Sequence, residues 1–146
     1  MFEIILAAVD GSSRTAGVVA AAEALAERFG GRVHLFRAVA LSQEFPPSAH
    51  AHKDPAADEL AARARTELEA LAAGRARFVV EAPVVGPSEP WRSVLEAAVA
   101  VDAGLIVVGS HGFRGWDRVL GTTAAKIVNH ADRPVLVVRA PGGARP

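Results

Sequence analysis

The sequence predicts an α/β fold: one doubly wound, five-stranded parallel sheet with helices on both faces, in the Rossmann-like manner. Three observations carry this. The runs "IILAAV" and "LIVVG" are apolar at every position, which marks strands buried on both faces rather than half-exposed ones. Helical periodicity alternates with such runs along the chain, and that order calls for right-handed crossovers between parallel strands. The length, 146 residues, suits one domain that buries roughly two-thirds of its unfolded surface.

"FEIILAAVD" is the first strand, ended by Asp10. Ser12 or Ser13 is the expected N-cap of the helix "RTAGVVAAAEALAERF", which stops at Gly30-Gly31. "RVHLFRAVAL" reads as a second strand with polar interruptions at His34 and Arg37. The paired prolines of "SQEFPPSAHAHKDP" make the next stretch a loop. Residues 56–73 form an amphipathic helix before Gly74, with Leu60, Ala64, Leu68 and Leu71 on one face. Glu59 with Arg63 and Arg65 with Glu69 are opposite charges one helical turn apart. "RFVVEAPVVG" is a third strand, and Pro83 suits an edge position. Ser88 is the expected cap and Pro90 the first-turn residue of the helix "SEPWRSVLEAAVAVDA", with Trp91 half-buried at its start. "GLIVVG" is the fourth strand, "TAAKIVNHA" the last helix and "VLVVR" the fifth strand. Residues 1–140 make the domain; 141–146, rich in Pro and Gly, are expected to be a disordered tail.

Composition excludes several functions. Sixteen basic residues balance sixteen acidic ones, so no global field draws the chain to nucleic acid or to a membrane surface. The absence of cysteine removes disulfides, thiolate catalysis and Cys-type zinc sites. The N-terminus lacks a basic leader and a cleavage site, and no apolar run reaches the ~18 residues of a membrane span. A cytoplasmic protein is expected.

The chemistry-bearing stretch is "GSHGFRGWDRVLGTTAAK", residues 109–126. Gly109 ends a buried strand, Gly112 sits in the following loop, and Gly121 precedes a helix that opens with Thr122 and Thr123. Backbone donors freed by glycine, a helix N-terminus and two hydroxyls together suit a phosphate chain; a flexible loop with an ordinary Thr cap is the plainer alternative. Neither G-x-x-x-x-G-K-[ST] nor G-x-G-x-x-G is present. In open parallel sheets ligands bind beyond the carboxyl ends of the strands where strand order reverses. If the first and fourth strands are neighbours, Asp10 and this loop share one crevice. Asp10 can serve there as a ligand, or simply organise the turn "VDGSS".

Over nearly the whole chain, "AAVDGSS", "GLIVVGSHG" and "GTTAAKIVNHADRPVLVVR" resemble the universal stress protein family, in particular its ATP-binding branch. That branch carries G-x2-G-x9-G-[ST]. Here Gly109-x2-Gly112 and Gly121-Thr122 match, but only the eight residues 113–120 lie between, one fewer than the pattern. The resemblance implies an ATP-binding regulatory protein of stress adaptation, with slow hydrolysis at most and Mg²⁺ as a possible companion of the nucleotide. It places Ala8 and Val9 at the base, Asp10 near the ribose or metal, and the backbone of Ala38 on adenine. Gly109 and Gly112 then face ribose and phosphates, and Gly121, Thr122 and Thr123 hold the phosphate chain. It also implies a homodimer through the last strand, Val135, Leu136, Val137 and Val138, as an apolar edge would permit. The alternatives are a nucleotide-free homodimer acting through protein contacts, and an enzyme on the same scaffold.

Other polar residues carry less. Ser110 and His111 are adjacent, so their side chains diverge, and no G-x-S-x-G elbow is present. No catalytic residue is assigned. His50, His52 and Asp54 alternate as ligands on an extended segment could, but a histidine-containing surface loop is the simpler reading, and no metal site is assigned. Arg114 and Arg118 are read as solvated, Trp116 as packed under the loop, and His130 as a helix C-terminal residue favoured by the dipole.

Overall fold

The computed structural model describes residues 1–41, 55–110 and 120–139. Its elements are β1 (Ile4–Ala8), α1 (Thr15–Phe29), β2 (Arg32–Phe36), β3 (Ala38–Ala40), α2 (Pro55–Ala72), β4 (Phe78–Val80), β5 (Val84–Gly86), α3 (Pro90–Ala100), β6 (Leu105–Gly109), α4 (Thr122–His130) and β7 (Val135–Val138). Five strands form one sheet in the order β4-β2-β1-β6-β7, every pair parallel. The chain winds outward from β1 through β2 to β4, then returns to the other side of β1 for β6 and β7. Strand order therefore reverses between β1 and β6. Pro83 lies just past the edge strand β4, where a missing N–H costs no ladder bond.

Consecutive residues of β1 and β6 point to opposite faces and both faces are covered, which accounts for the unbroken apolar runs. On one face Ile5, Ala7, Val9 and Val107 pack with Val18, Val19, Ala22 and Ala26 of α1 and Leu68 of α2. On the other, Leu6, Ile106 and Val108 pack with Val94 and Ala98 of α3 and Ala124 and Ile127 of α4. On α2, Ala64 and Leu68 are buried, and the charged pairs Arg63–Glu59 and Arg65–Glu69 lie on its exposed side.

Four local expectations are corrected. The stretch "RVHLFRAVAL" is two strands, because the chain departs from the main sheet at Arg37. "RFVVEAPVVG" divides likewise around Pro83, and the outer halves, β3 and β5, pair as a separate two-stranded parallel sheet. The carbonyl of Arg37 accepts the N–H of Val84 across that break. At α1 the cap position is Arg14, with no side-chain cap, rather than Ser12 or Ser13. Asp10 Oδ1 accepts the Ser12 N–H at 2.9 Å and Ser12 Oγ accepts the Arg14 N–H at 3.2 Å, so a turn occupies the residues that would otherwise have capped the helix. At α3 the cap position is Glu89, not Ser88, again without a side-chain cap. The Glu89 carboxylate instead accepts from Trp91 Nε1 at 2.8 Å and Lys126 Nζ at 2.7 Å. Gly30 closes α1 in the left-handed conformation, φ 69°, where a Cβ would be strained.

The loop with His50, His52 and Asp54, and the tail 141–146, lie outside the described residues.

Candidate functional site at the carboxyl edge of the sheet

β1 and β6 run in register, Ala8 beside Val108. The residues after both strands therefore leave the sheet side by side. A shallow cleft opens there, and much of the space it encloses is open to solvent. Its apolar wall comes from Val9, Val18, Val94, Val108 and Ile127. Around this wall stand Asp10, Arg14, Thr15 and Thr123.

Of the residues marked in the sequence, Ala8, Val9, Asp10, Ala38, Gly109 and Thr123 line this one cleft. They come from β1 and the turn after it, β3, β6 and α4, so the fold brings together positions more than a hundred residues apart. Gly121 and Thr122 are not in the lining: Gly121 is buried at the cap position of α4, its carbonyl accepting the Ala125 N–H at 2.9 Å, and Thr122 is exposed. Gly112, His111, Arg114, Trp116 and Arg118 lie outside the described residues. Ser110 is buried, and its N–H donates to the Val138 carbonyl at 2.9 Å, extending the β6–β7 ladder.

Gly109 has a packing role of its own. A Cβ at this position would lie 3.3 Å from both Arg14 Cβ and Val18 Cγ2, so a side chain here would need α1 to give by a few tenths of an ångström. Gly11, at φ 74°, makes the turn after Asp10 in the left-handed region, and the Arg37 guanidinium lies against the side where a Cβ would project. Arg37 is in turn ion-paired with Glu67 of α2.

Sequence reasoning missed Arg14 and Thr15, read only as the start of a helix. Thr15 is 8% exposed, and its Oγ1 is buried without a hydrogen-bond partner among the described residues. Their position directly behind "DGSS" was the available signal. Missed too were Pro90 and Val94, which α3 contributes to the lining. Trp91 is half-buried as expected, stacked on His130 with ring centroids 4.6 Å apart. His130 Nδ1 lies 2.8 Å from the Lys126 carbonyl, a contact that assigns the ring proton to that nitrogen. Among the described residues no group of three or more His, Cys, Asp or Glu is placed to hold a metal ion. No helix among them is long and apolar enough to cross a membrane.

A parallel sheet whose strand order reverses between β1 and β6 defines a doubly wound α/β protein. The chain belongs to the universal stress protein family, whose profile matches residues 1–139. It is 34% identical over 145 residues to a Thermus aquaticus protein described as "Universal stress protein in QAH/OAS sulfhydrylase 3'region", covering 95% of this chain and all of that one. Among solved structures it is similar to the universal stress protein UspA from Lactobacillus plantarum, with 27% identity, a TM-score of 0.72, and coverage of 94% of this chain and 98% of that one. The fold is also that of a universal stress protein from Archaeoglobus fulgidus solved in complex with dAMP, at 22% identity and a TM-score of 0.61, covering 94% and 98% of the two chains.

Proposed function

We propose that this cleft seats an adenine nucleotide, ATP with Mg²⁺, and that the chain is a cytoplasmic regulatory module whose conformation or partner choice follows nucleotide occupancy. The observation that carries the reading is the convergence of Asp10, Gly109 and Thr123, from three separate elements, on one cleft with an apolar wall. A purine needs such a wall, and a ribose and phosphates need the polar rim. The dAMP bound by the Archaeoglobus relative supports the same ligand class.

In this reading Ala8 and Val9 line the base pocket and the Ala38 backbone meets adenine. Asp10 takes the ribose hydroxyls or a metal-bound water. Gly109 and Gly112 approach ribose and phosphate with their backbones, while Gly121, Thr122 and Thr123 meet the phosphate chain at the positive end of α4. Asp10 is the sole carboxylate in the described lining. Mg²⁺ would therefore be held mainly by phosphate oxygens and water, and by itself it would supply charge neutralisation. With one carboxylate already accepting a backbone N–H, a dedicated general base for water is lacking in the described lining, and turnover is at most slow.

The test is to purify the protein under native conditions, release bound small molecules with acid, and identify them by mass spectrometry. Stoichiometric adenine nucleotide supports the reading; nucleotide-free protein that also fails to take up Mg-ATP overturns it.

A second reading, a nucleotide-free homodimer acting through protein contacts, draws on β7. This strand is an edge of the main sheet, with Leu136 37% exposed. Dimerisation through Val135, Leu136, Val137 and Val138 is compatible with both readings. A Leu136→Lys variant that sediments as a monomer while the parent is a dimer would place the interface there.

A further inference from the structure

We propose that the N-terminal end of α1, through Thr15 and Arg14, is a second anion seat in the cleft, and that it selects nucleotides carrying two or three phosphates over those carrying one. The inference rests on the nucleotide reading above and extends it to which nucleotide is held.

The first observation is the orphaned hydroxyl. Thr15 is the first residue of α1, lines the cleft and is 8% exposed. Its Oγ1 is buried without a hydrogen-bond partner among the described residues. A buried hydroxyl left unpaired is an energetic liability that valine, of the same shape, would not carry. In a helix interior a threonine hydroxyl can bond back to the carbonyl one turn earlier. At the first helical position the preceding turn is not helical, so a partner arriving in the cleft is the natural acceptor.

The second observation is where this hydroxyl stands. The positive end of the 15-residue α1 dipole coincides with it, and Arg14 adds a full charge. The stem of Arg14 crosses the end of β6, its Cβ and Cδ 3.3 and 3.7 Å from where a Gly109 Cβ would sit, so Arg14 belongs to the cleft wall.

Two helix N-termini therefore meet at one cleft from opposite faces of the sheet, α1 with Thr15 and α4 with Thr123. One phosphate group satisfies one such end. A di- or triphosphate has the charge and the reach for both.

The experiment is calorimetric titration of the nucleotide-stripped full chain with AMP, ADP and ATP, each with Mg²⁺. It is run on the parent and on Thr15→Val, Thr15→Ser and Arg14→Gln, with thermal midpoints recorded for all four. The parent is expected to bind ATP at least ~10-fold tighter than AMP. Thr15→Val should reduce that ratio by roughly 10-fold, with AMP affinity within about twofold and a thermal midpoint unchanged or raised. Thr15→Ser, which restores the hydroxyl, should keep the ratio, and Arg14→Gln should lower it. Equal affinity for all three nucleotides in the parent, or an unchanged ratio in both Thr15→Val and Arg14→Gln, overturns the second seat and leaves the nucleotide reading standing. Absence of binding by every nucleotide removes both.

Discussion

Ala8 on β1 and Val108 on β6 are register partners at the carboxyl edge of the sheet. Two residues beyond Ala8 stands Asp10, and one beyond Val108 stands Gly109; both line the cleft. A strand pairing set by buried apolar residues thus fixes the spacing of two groups proposed to meet the nucleotide.

Asp10 has a local role and a proposed ligand role, and substitutions separate them. Asparagine can still accept the Ser12 N–H, so Asp10→Asn should keep stability within about 0.5 kcal/mol while weakening Mg-ATP binding by roughly 10-fold. Asp10→Ala loses the turn as well and should cost about 1 kcal/mol in urea denaturation. Equal nucleotide affinity in Asp10→Asn and the parent would reduce Asp10 to its turn.

Gly109→Ala tests the close approach of α1. The added methyl would stand 3.3 Å from Arg14 Cβ and Val18 Cγ2, so α1 must give way at its first turn. Urea denaturation should show a loss of about 1–2 kcal/mol, the usual cost of overpacking. An unchanged midpoint would mean that α1 sits more loosely on β6 than its packing indicates.

Arg133 ties the opposite end of the sheet. Its Nη1 donates to the carbonyls of Ala98 and Ala103, each at 2.9 Å, and its side chain is largely buried. Arg133→Ala leaves both carbonyls without that donor and should cost about 2 kcal/mol. Nucleotide affinity should not change, because these groups precede β6 and β7 whereas the cleft lies beyond β6.

Acid stability should depend on Glu89. Hydrogen bonds from Lys126 and then from Trp91 hold its carboxyl below the ordinary glutamate range. A depressed native value contributes stability at pH above the ordinary glutamate range, and that contribution fades as pH falls through the lowered value. Urea midpoints of the parent should therefore exceed those of Glu89→Gln at neutral pH and converge with them in acid. Added salt should narrow the gap, since the group is at the surface. A gap that widens on acidification would have the wrong sign.

The sheet was legible because its signal is simple: strands buried on both faces carry apolar residues at every position, as Ile5, Leu6, Ile106 and Val107 do. Strand order is not written locally, so the pairing of β1 with β6 stood in the sequence only as the condition for Asp10 and the glycine loop to share a crevice. The resemblance alone assigned Asp10, Ala38 and Gly109 to one ligand. What escaped was decided by tertiary contacts. Nothing local marks Arg37 as the point where a strand leaves the sheet, since the break depends on its carbonyl meeting Val84. Ser12 has the chemistry of a cap, but the Asp10 carboxylate fixes it one step earlier in a turn. Thr15 looks like any helix-opening threonine until its hydroxyl is found buried and unpaired beside the cleft.

The central claim is that the cleft is a nucleotide seat, and calorimetric titration of the stripped protein with Mg-ATP tests it most directly. The control is a Gly121→Val variant with the same circular dichroism spectrum; the backbone at 121, φ −58° and ψ 158°, is open to valine. The expected result is one site per chain of micromolar affinity, lost or severely weakened in Gly121→Val. Absence of binding by the parent would contradict the account and leave the nucleotide-free dimer as the reading of this chain.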